Sequence, residues 1–303
     1  MNDFPLVSII SVNYNQTQVT CEFLESLQKI SYPNFEVIIV DNDSPTDSPD
    51  EISLRYPFVK LIKLKKNIGF AGGNNMGIRA AKGELILFIN NDTEVEINFL
   101  QPLVQQLQRD PSIGMISPKI RFFHTPNTIQ YAGYTPMNPY TMRQNLIGYR
   151  QVDKGQYDEP GTTFAIHGAA MMVPLRVIKE VGLMAEIFFL YYEEHDWCER
   201  IKKAGYKIFY EPKSLVYHKE SISTGKESPL KIYYISRNRI VFARRNSKGI
   251  VLLINFLYFN FITFPKFTLQ YIIQRRMDLL MPLFRSLVWN LSHYEGIKEN
   301  QKL

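Results

Sequence analysis

Three short stretches of the chain carry the side chains best suited to chemistry. Residues 40–44 (VDNDS) and 89–93 (INNDT) each end an apolar, β-branched run with acidic or amide side chains, and residues 192–197 (YEEHDW) join aromatic rings to paired carboxylates. Carboxylate and amide oxygens at strand ends suit a hard divalent cation and a bound nucleotide. A carboxylate pair further along the chain can supply a general base. The three stretches together predict one site for a metal–nucleotide complex and a proton acceptor.

The first two stretches each allow a functional and a structural interpretation. Asp41, at a predicted strand end, can accept a hydrogen bond from the imide N–H of a uracil or thymine ring, but Asp-Asn-Asp-Ser also suits a turn. Asn90 and Asp92 are two residues apart on an extended segment, so they can face the same way and reach a divalent cation and its diphosphate. The alternative is an Asx-turn or a helix cap leading into residues 96–108.

The third stretch and two histidines extend the predicted site. Glu193 and Glu194 can supply a general base for an acceptor hydroxyl, or they can complement the dipole of the helix that follows. Trp197 can stack on an acceptor sugar, although tryptophan at such a position is more often in the core. His218 follows a short predicted strand and is a potential ligand for a cation such as Mn²⁺. His167 can contact the acceptor or a diphosphate.

A glycine-rich stretch adds a candidate phosphate contact. Residues 67–77 (NIGFAGGNNMG) allow close backbone approach and lead into a predicted helix N-terminus, which favours phosphate. The stretch is neither a dinucleotide-binding fingerprint nor a P-loop. The alternative is a glycine-rich helix entry with no ligand.

Alternation of apolar strands with helical patterns predicts the fold. Near-continuous apolar runs indicate strands at residues 6–12, 35–40, 59–64 and 85–89. Apolar side chains at helical spacing indicate helices at residues 17–30, 73–82 and 97–109. This pattern predicts an α/β fold with a mixed, mainly parallel sheet flanked by helices, in which ligands bind beyond the carboxyl ends of the strands.

The second half of the chain divides into two parts. Residues 113–170 are richer in Pro, Gly, Asn and Tyr, which predicts short strands and loops over the site. Helices are predicted at residues 174–182 and 194–204. The composition changes after about residue 228, so we expect a catalytic domain over 1–228 and a helical extension over 229–303.

The extension has a basic helix followed by an apolar one. Residues 230–246 are helical and basic, and residues 250–264 are almost wholly apolar and aromatic, followed by Lys266, Arg275 and Arg276. A membrane span would have to tolerate the Pro-Lys pair in its middle, so we prefer helices lying in the membrane interface. The alternative is a homodimer interface or a helical cap on the core.

Composition bounds the compartment and the partners. The chain has 303 residues, is 45% apolar and 21% charged, and therefore predicts an ordinary folded protein. Its two cysteines, Cys21 and Cys198, form no disulfide framework and suit a reducing cytoplasm. The net charge of +6 fits an anionic membrane surface or a phosphorylated substrate. The first two hundred residues contain no dense Lys/Arg run with interleaved aromatics, so we do not expect nucleic acid as a partner. Residues 1–5 have no basic start, so we expect no signal peptide.

Taken in order, these motifs resemble family-two glycosyltransferases of the GT-A fold, close to the bacterial rhamnosyltransferase-like group. Each motif alone is modest, but their order and spacing over roughly residues 5–245 are specific. The matching segments are residues 7–15, 40–44 with Asp47, 67–75, 90–93, 168–172, 189–200, His218 and 233–238.

The resemblance implies a role for each matching residue. Donor binding would fall to Asp41, which holds the pyrimidine base, and to its neighbours and pocket residues Asn13, Asn15, Asn67, Gly72, Asn74, Asn90 and Asn91. Metal binding would fall to Asp92, with His218 as a further metal or diphosphate contact. Glu194 would be the catalytic base, and acceptor contacts would include His167, Glu193 and Trp197.

Two departures from the family pattern stand inside the site. The family commonly has Glu-Asp where this chain has Glu193-Glu194, so the base is one methylene longer. Asn90 takes the place of a frequent Asp, which would weaken the affinity for a metal. Both variants keep an oxygen in position.

The resemblance also implies a reaction and its partners. We expect an inverting transfer that uses Mg²⁺ or Mn²⁺ and a nucleotide-sugar donor, with dTDP-rhamnose first and UDP-hexoses as alternatives. The acceptor would be a saccharide or a polyprenyl-diphosphate-linked saccharide in bacterial cell-surface polysaccharide synthesis, at the inner face of the cell membrane. The non-enzyme alternative is a sugar-nucleotide-binding scaffold that has lost catalysis.

Overall fold

The computed structural model describes residues 4–219, 228–293 and 301–303. Within these ranges the strands are β1 Val7–Asn13, β2 Phe35–Asp41, β3 Val59–Lys63, β4 Leu85–Ile89, β5 Thr93–Val95, β6 Ile113–Phe122, β7 Ile129–Tyr131, β8 Gly161–Thr162, β9 Ala170–Pro174 and β10 Lys207–His218. The α-helices are α1 Thr17–Leu27, α2 Asp50–Arg55, α3 Gly69–Ala80, α4 Leu100–Arg109, α5 Leu175–Val181, α6 Glu193–Lys203, α7 Pro229–Asn246, α8 Gly249–Tyr258, α9 Phe264–Ile273 and α10 Met277–Ser292.

One sheet organises the chain, in the order β3-β2-β1-β4-β9-β6-β10-β5. Strands β1 to β4 run parallel, β9 runs antiparallel to β4 and β6, and β10 runs parallel to β6. The short strands β7 and β8 pair with β6 and β10. The predicted mixed, mainly parallel sheet is confirmed.

Successive side chains of each strand face two separate cores. In β1, Ile9 packs in the core on the side of α1 and α4, whereas Ile10 packs in the core on the side of α3, α5 and α6. The alternation places both residues at zero exposure. Each fully buried aliphatic side chain of this kind contributes about 1.5–3 kcal/mol relative to exposure. Burial on both faces explains why the strands read as continuous apolar runs.

The structure differs from the prediction in the second half of the sheet. Residues 113–170 were expected to give only short strands, but β6 is ten residues long and lies inside the sheet. The strand before His218 was expected to be short, but β10 spans twelve residues. The sequence does not predict the full length of β6, because it contains Pro118 and proline in a strand normally marks an edge or a bulge. A register shift in β10, between Glu211 and Leu215, accommodates it.

The glycine-rich stretch lies inside a helix rather than before one. Helix α3 begins at Gly69, not near residue 73, and its glycines allow the helix to approach the sheet. A Cβ atom on Gly73 would lie 3.0 Å from Val12 Cγ2, and one on Gly77 would overlap the side chain of Ile10. Close helix–sheet packing therefore accounts for these two glycines.

The chain beyond residue 228 is helical, with α7 packed on α6 and α10 packed on α7 and α9. A short π-helical turn joins α8 to α9, so Gly249–Ile273 forms one helix of 25 residues. Among the described residues, this helix alone has the length and apolar composition to cross a membrane, and 17% of its most apolar window is buried. The domain division at residues 228 and 229 stays a prediction.

Substituting Gly77 with alanine should destabilise the fold, because the added Cβ overlaps Ile10 of the central strand β1. Alanine favours a helix over glycine by about 1 kcal/mol, so any net loss in the free energy of unfolding must come from the steric overlap. We expect a net loss of about 1–2 kcal/mol. The measurement is the urea midpoint and slope.

Gly161→Ala is the matched control, since nothing lies within 4 Å of the added atom. A Gly77→Ala variant as stable as the control would contradict close packing of α3 on β1.

Candidate active site

Strand direction brings the predicted site residues to one edge of the sheet. β1, β2, β4 and β10 all end there, and the antiparallel β9 begins there. Asn13 and Asp41 face each other in register at the ends of β1 and β2. The Asn90 N–H donates to the carbonyl of Ala169 at 2.9 Å, which ties the end of β4 to the segment before β9.

A cavity of about 440 Å³ opens at this edge. The predicted residues on its wall are Asn67, Asn90, Asn91, Asp92, His167, Glu193, Glu194 and His218. Sequence reasoning missed further wall residues, namely Val12, Tyr14, Asn42, Gln130, Tyr134, Phe189, Leu190, Tyr191, Leu230 and Lys231. The metal, base and acceptor candidates therefore face one space.

Strand register brings Asp92 and His218 together. Thr93 of β5 pairs with His218 of β10, so Asp92 lies beside the imidazole. Its Oδ1 is 3.1 Å from His218 Nε2 in a geometry that makes no hydrogen bond, and neither atom has another hydrogen-bond partner. Gln130 Oε1 lies 2.9 Å from His218 Nδ1 and orients the ring.

Electrostatics favour an ionised Asp92. Burial raises its pKa, but the neighbouring His218 outweighs burial and holds the pKa below its usual range. Two buried, unpaired ligand atoms of this kind fit a divalent cation. The described part of the chain contains no group of three or more His, Cys, Asp or Glu side chains that could hold a metal ion. Asp92 and His218 are therefore the two candidate ligands at this place.

A buried polar network stabilises the candidate donor end. Asn13 Nδ2 donates to Asp41 Oδ1 at 2.8 Å, and Asn13 Oδ1 accepts from the hydroxyl of Thr20 at 2.8 Å. Asn91 Nδ2 donates to the same hydroxyl at 2.9 Å, which links the ends of β2 and β4. Ser44 donates to Asp41 through its backbone N–H at 3.1 Å and through its hydroxyl. The network fixes the position of both strand ends.

Asn42 organises the adjoining cavity wall, although the sequence reading assigned it no role. Its Nδ2 donates to Asn67 Oδ1 at 3.0 Å and to the carbonyl of Gly69 at 3.1 Å. Its Oδ1 accepts from the N–H of Ile68 at 3.0 Å. Its position next to Asp41 within residues 40–44 was the available sequence signal, because a side-chain amide there can hydrogen-bond to two partners.

The two glutamates at the start of α6 have opposite electrostatics. Burial and the neighbouring Glu194 raise the pKa of Glu193 well above its usual range. Burial also raises the pKa of Glu194, but His195 reverses the effect and holds the pKa below its usual range. Glu194 Oε1 lies 3.1 Å from His195 Nδ1. Of the two, Glu194 ionises more readily, and Glu193 holds its proton to a higher pH than an ordinary carboxyl group.

His167 is neutral in the folded protein. Burial, followed by the charge of His218, lowers its pKa to about 3. Its Nδ1 accepts from the N–H of Ala169 at 3.2 Å, which leaves Nε2 as the protonated nitrogen. His167 can therefore donate a hydrogen bond at the cavity wall.

A strained segment presents the glutamate pair. Phe189, Tyr191 and Tyr192 have φ angles of 63°, 69° and 77°, and Tyr192 directly precedes α6. Left-handed backbone at a residue with a side chain costs about 1–2 kcal/mol. The segment needs support from outside itself to place Glu193 at the cavity wall.

Helix α7 supplies that support. The buried Asn238 Nδ2 lies 2.9, 2.7 and 2.7 Å from the carbonyl oxygens of Phe188, Leu190 and Tyr191. The Arg237 guanidinium donates to the Phe188 carbonyl at 2.8 Å. These bonds satisfy the carbonyls that the irregular turn leaves unpaired.

Six predicted residues do not line the cavity, and three of them, Trp197, Gly72 and Asn74, are buried elsewhere. Trp197 was predicted to contact the acceptor, which is wrong: it is fully buried against Phe88, and its Nε1 donates to Gly182. Gly72 and Asn74 were predicted to line the donor pocket, but both are buried within α3, where Asn74 Nδ2 donates to Phe70 one turn earlier.

Asn13, Asn15 and Asp41 adjoin the cavity without lining it. The Asn15 N–H donates to the Ser44 hydroxyl oxygen at 2.8 Å, and Asn15 Oδ1 accepts from the Thr46 N–H at 3.2 Å, so Asn15 supports the loop after β2. Their donor-binding roles stay predictions.

The fold and the cavity define an α/β enzyme with its site at the carboxyl edge of the sheet. Residues 8–172 match the family model described as glycosyl transferase family 2. Because the match spans more than half of the chain, the chain belongs to this family and is an enzyme of the hexosyltransferase class, as the resemblance implied.

Relatives and solved structures agree with this family. The chain is 26% identical to a low-salt glycan biosynthesis hexosyltransferase of Haloferax volcanii, over 78% of this chain and 74% of that protein. It is 25% identical to an N-acetylglucosaminyl-diphospho-decaprenol L-rhamnosyltransferase of Mycobacterium tuberculosis, over 73% of this chain and 78% of that protein. A mannosyltransferase from Pyrobaculum calidifontis in complex with GDP-mannose and Mn²⁺ has the same fold, with a TM-score of 0.61 at 16% identity over 95% of this chain and 88% of that chain.

Replacing Asn238 with alanine should release the strained segment. Removing an amide that serves three carbonyls, one of them in a fully buried hydrogen bond, should lower the free energy of unfolding by about 3 kcal/mol and reduce turnover, because Glu194 loses its fixed position. Urea denaturation measures the first effect. Asn260→Ala is the control, since its amide makes one exposed bond within its own helix; an equal effect in both variants would contradict the role of Asn238.

Glu193 should make stability depend on pH. Its pKa is raised in the folded state, so the folded chain keeps a proton that the unfolded chain releases near about pH 4. The stability contributed by the protonated carboxyl is fully present below that pH and is lost as pH rises through the folded pKa. Relative to Glu193→Gln, the wild type should lose free energy of unfolding over the pH range above about 5. A constant difference between the two proteins across this range would contradict the assignment.

Proposed function

We propose that this chain is an inverting, metal-dependent glycosyltransferase that moves a sugar from a nucleotide donor to a saccharide hydroxyl, with Glu194 as the base. One observation carries the proposal: Asp92 and His218 lie on the wall of the same cavity as Glu193 and Glu194. A pair of candidate ligands for a cation and a carboxylate that can act as a base face the same cavity, and a displacement at an anomeric carbon needs both.

The Asp92–His218 pair fits Mg²⁺ or Mn²⁺, because two buried ligand atoms face each other without a hydrogen bond. When bound, the cation would stabilise the charge of the departing nucleoside diphosphate. Two protein ligands are few, but such cations commonly complete their shell with substrate phosphates and water. Lys231 on the cavity wall adds a positive charge for the same diphosphate.

The donor would lie along the strand ends. Asp41 holds the imide of a uracil or thymine ring, with Asn13 and Asn15 fixing its surroundings, and Asn67, Asn90 and Asn91 contact the rest of the nucleotide sugar. The L-rhamnosyltransferase relative supports dTDP-rhamnose as the first donor. Two structurally similar proteins, one solved with UDP, GalNAc and Mn²⁺ and the other with UDP-GlcNAc, support a UDP-hexose as the alternative donor.

The proton step belongs to Glu194. Its carboxylate takes the proton of the acceptor hydroxyl as the oxygen forms a bond to the anomeric carbon. The bond from that carbon to the diphosphate breaks on the opposite face, so the configuration inverts. Glu193, protonated, and His167, neutral, can each donate a hydrogen bond to the acceptor, which orients the attacking oxygen.

The acceptor side suggests a membrane surface. Exposed apolar side chains follow one another along α8 to α10, including Ile250, Phe261, Ile273 and Leu291. With the basic residues nearby, this surface suits helices lying at an anionic membrane interface. We assign residues 1–228 to the catalytic domain and 229–303 to a helical extension at the cytoplasmic face of the membrane, where a lipid-linked saccharide of polysaccharide synthesis would be met. Homodimerisation through the extension is the alternative.

Glu194→Gln should remove turnover and keep donor binding. Losing a general base should lower kcat by about 10²–10⁴-fold, whereas the Kd for the donor should stay within about twofold. The assay follows release of nucleoside diphosphate from dTDP-rhamnose and UDP-sugars with Mn²⁺ or with EDTA, in the presence of saccharide acceptors, and the Kd comes from calorimetry. Wild-type release should require the metal.

Glu199→Gln is the matched control, because Glu199 lies on the same helix and pairs with Lys202 at 2.6 Å. Turnover in Glu194→Gln equal to that of the control would overturn the assignment of the base. A wild type that binds a donor but turns over none of the panel would favour the inactive scaffold.

A further inference from the structure

A second cavity lies among the C-terminal helices, away from the sheet edge. Its volume is about 470 Å³, within the usual range for small-molecule sites. Apolar side chains of α7 and α8 line most of it, including Ile240, Leu252 and Phe256. Arg239 and Arg244 are the charged residues on its wall. The cavity combines a long apolar interior with two cations.

This cavity connects to the active site through α7 and Tyr192. Lys231 on α7 lines the active-site cavity, and Arg239, about 12 Å further along the same helix, lines the second one. The Arg239 Nε donates to the Tyr192 hydroxyl at 3.1 Å, and Tyr192 directly precedes Glu193. The charged end of the second cavity is therefore one residue from the glutamate pair.

The outer side of the cavity continues into the exposed apolar surface of the extension. Leu253 and Phe256 line the cavity and are also 51% and 43% exposed. Both belong to the helix Gly249–Ile273, on which Phe261, Leu269 and Ile273 are also exposed. A hydrocarbon chain lying on this apolar surface would meet Leu253 and Phe256 at the cavity wall.

We infer that this cavity binds the isoprenoid chain of a prenyl-diphosphate-linked acceptor, with Arg239 and Arg244 facing the diphosphate. The inference rests on the proposed function and assigns the lipid part of the acceptor to a site outside the sheet edge. An apolar chain, an anionic group and a sugar then follow one another from the membrane surface to Glu194. The two arginines supply the charge complementary to the diphosphate.

Calorimetry with farnesyl diphosphate in EDTA tests the inference directly, because EDTA removes metal-dependent binding at the sheet edge. Farnesyl diphosphate should bind the full chain at least tenfold more tightly than inorganic diphosphate. Leu253→Glu should weaken farnesyl diphosphate at least tenfold. Phe261→Glu, a control on the same helix with its side chain 71% exposed and outside the cavity, should stay within about twofold.

Two results would overturn the inference. Equal binding of inorganic and farnesyl diphosphate would mean recognition of the anion alone, and equal weakening by both variants would mean general adsorption to an apolar surface. A dimer in light scattering that Leu253→Glu dissociates, together with no lipid binding, would assign the cavity to a second copy of the chain.

A second measurement needs no variant. A benzophenone-bearing isoprenoid diphosphate irradiated with the wild type should label peptides from residues 239–259, and labelling only on α9 and α10 would contradict the site. Donor calorimetry on the same protein separates the two proposals: donor binding without lipid binding removes the lipid site alone, whereas absent donor binding removes the proposed function.

Discussion

The left-handed backbone between Phe189 and Tyr192 is the constraint on which the acceptor half of the site depends. A chain of aromatic residues would not keep this conformation unaided, since each such residue costs about 1–2 kcal/mol. The amide of Asn238 offsets this cost by binding the carbonyls of the turn, and so the helix that carries it, α7, is part of the active site's support. Asp196, buried at the start of α6, forms an ion pair with Arg245 Nε at 2.7 Å and fixes the same two helices further along.

The donor half is built differently. Parallel strand direction and register alone bring Asp41 to Asn13, and antiparallel pairing of β5 with β10 brings Asp92 to His218. A rigid sheet edge thus holds the candidate nucleotide and metal side chains, and a strained turn holds the candidate base. Stored strain of this kind is common where a side chain must be presented in one orientation. The cavity lies where the sheet edge and the strained turn meet, so residues that are far apart in the chain face the same cavity.

The sequence predicts the sheet edge better than the turn. Apolar runs that end in Asp41 and Asp92 carry a local signal, and parallel pairing makes strand ends converge, so both could be found without coordinates. Trp197 could not be assigned from the sequence, because a tryptophan beside the glutamate pair suits an acceptor contact as well as the core; in the structure its ring packs against Phe88 in the core. Asn238 stands in the matching segment 233–238, but the sequence does not predict its role: its three partners lie 47 to 50 residues away and belong to a turn that no propensity predicts. The glycines of α3 suggested a phosphate contact for a related reason: close packing against β1 and phosphate binding both favour glycine.

The central claim is that the Asp92–His218 pair and the glutamates of α6 belong to one nucleotide-sugar site. Anomalous diffraction from crystals soaked with Mn²⁺ and a pyrimidine nucleoside diphosphate tests this claim most directly. The account predicts an Mn²⁺ peak coordinated by Asp92 and His218, with the diphosphate on the metal and the base toward Asp41. A nucleotide bound elsewhere, or Mn²⁺ held away from both residues, would contradict it.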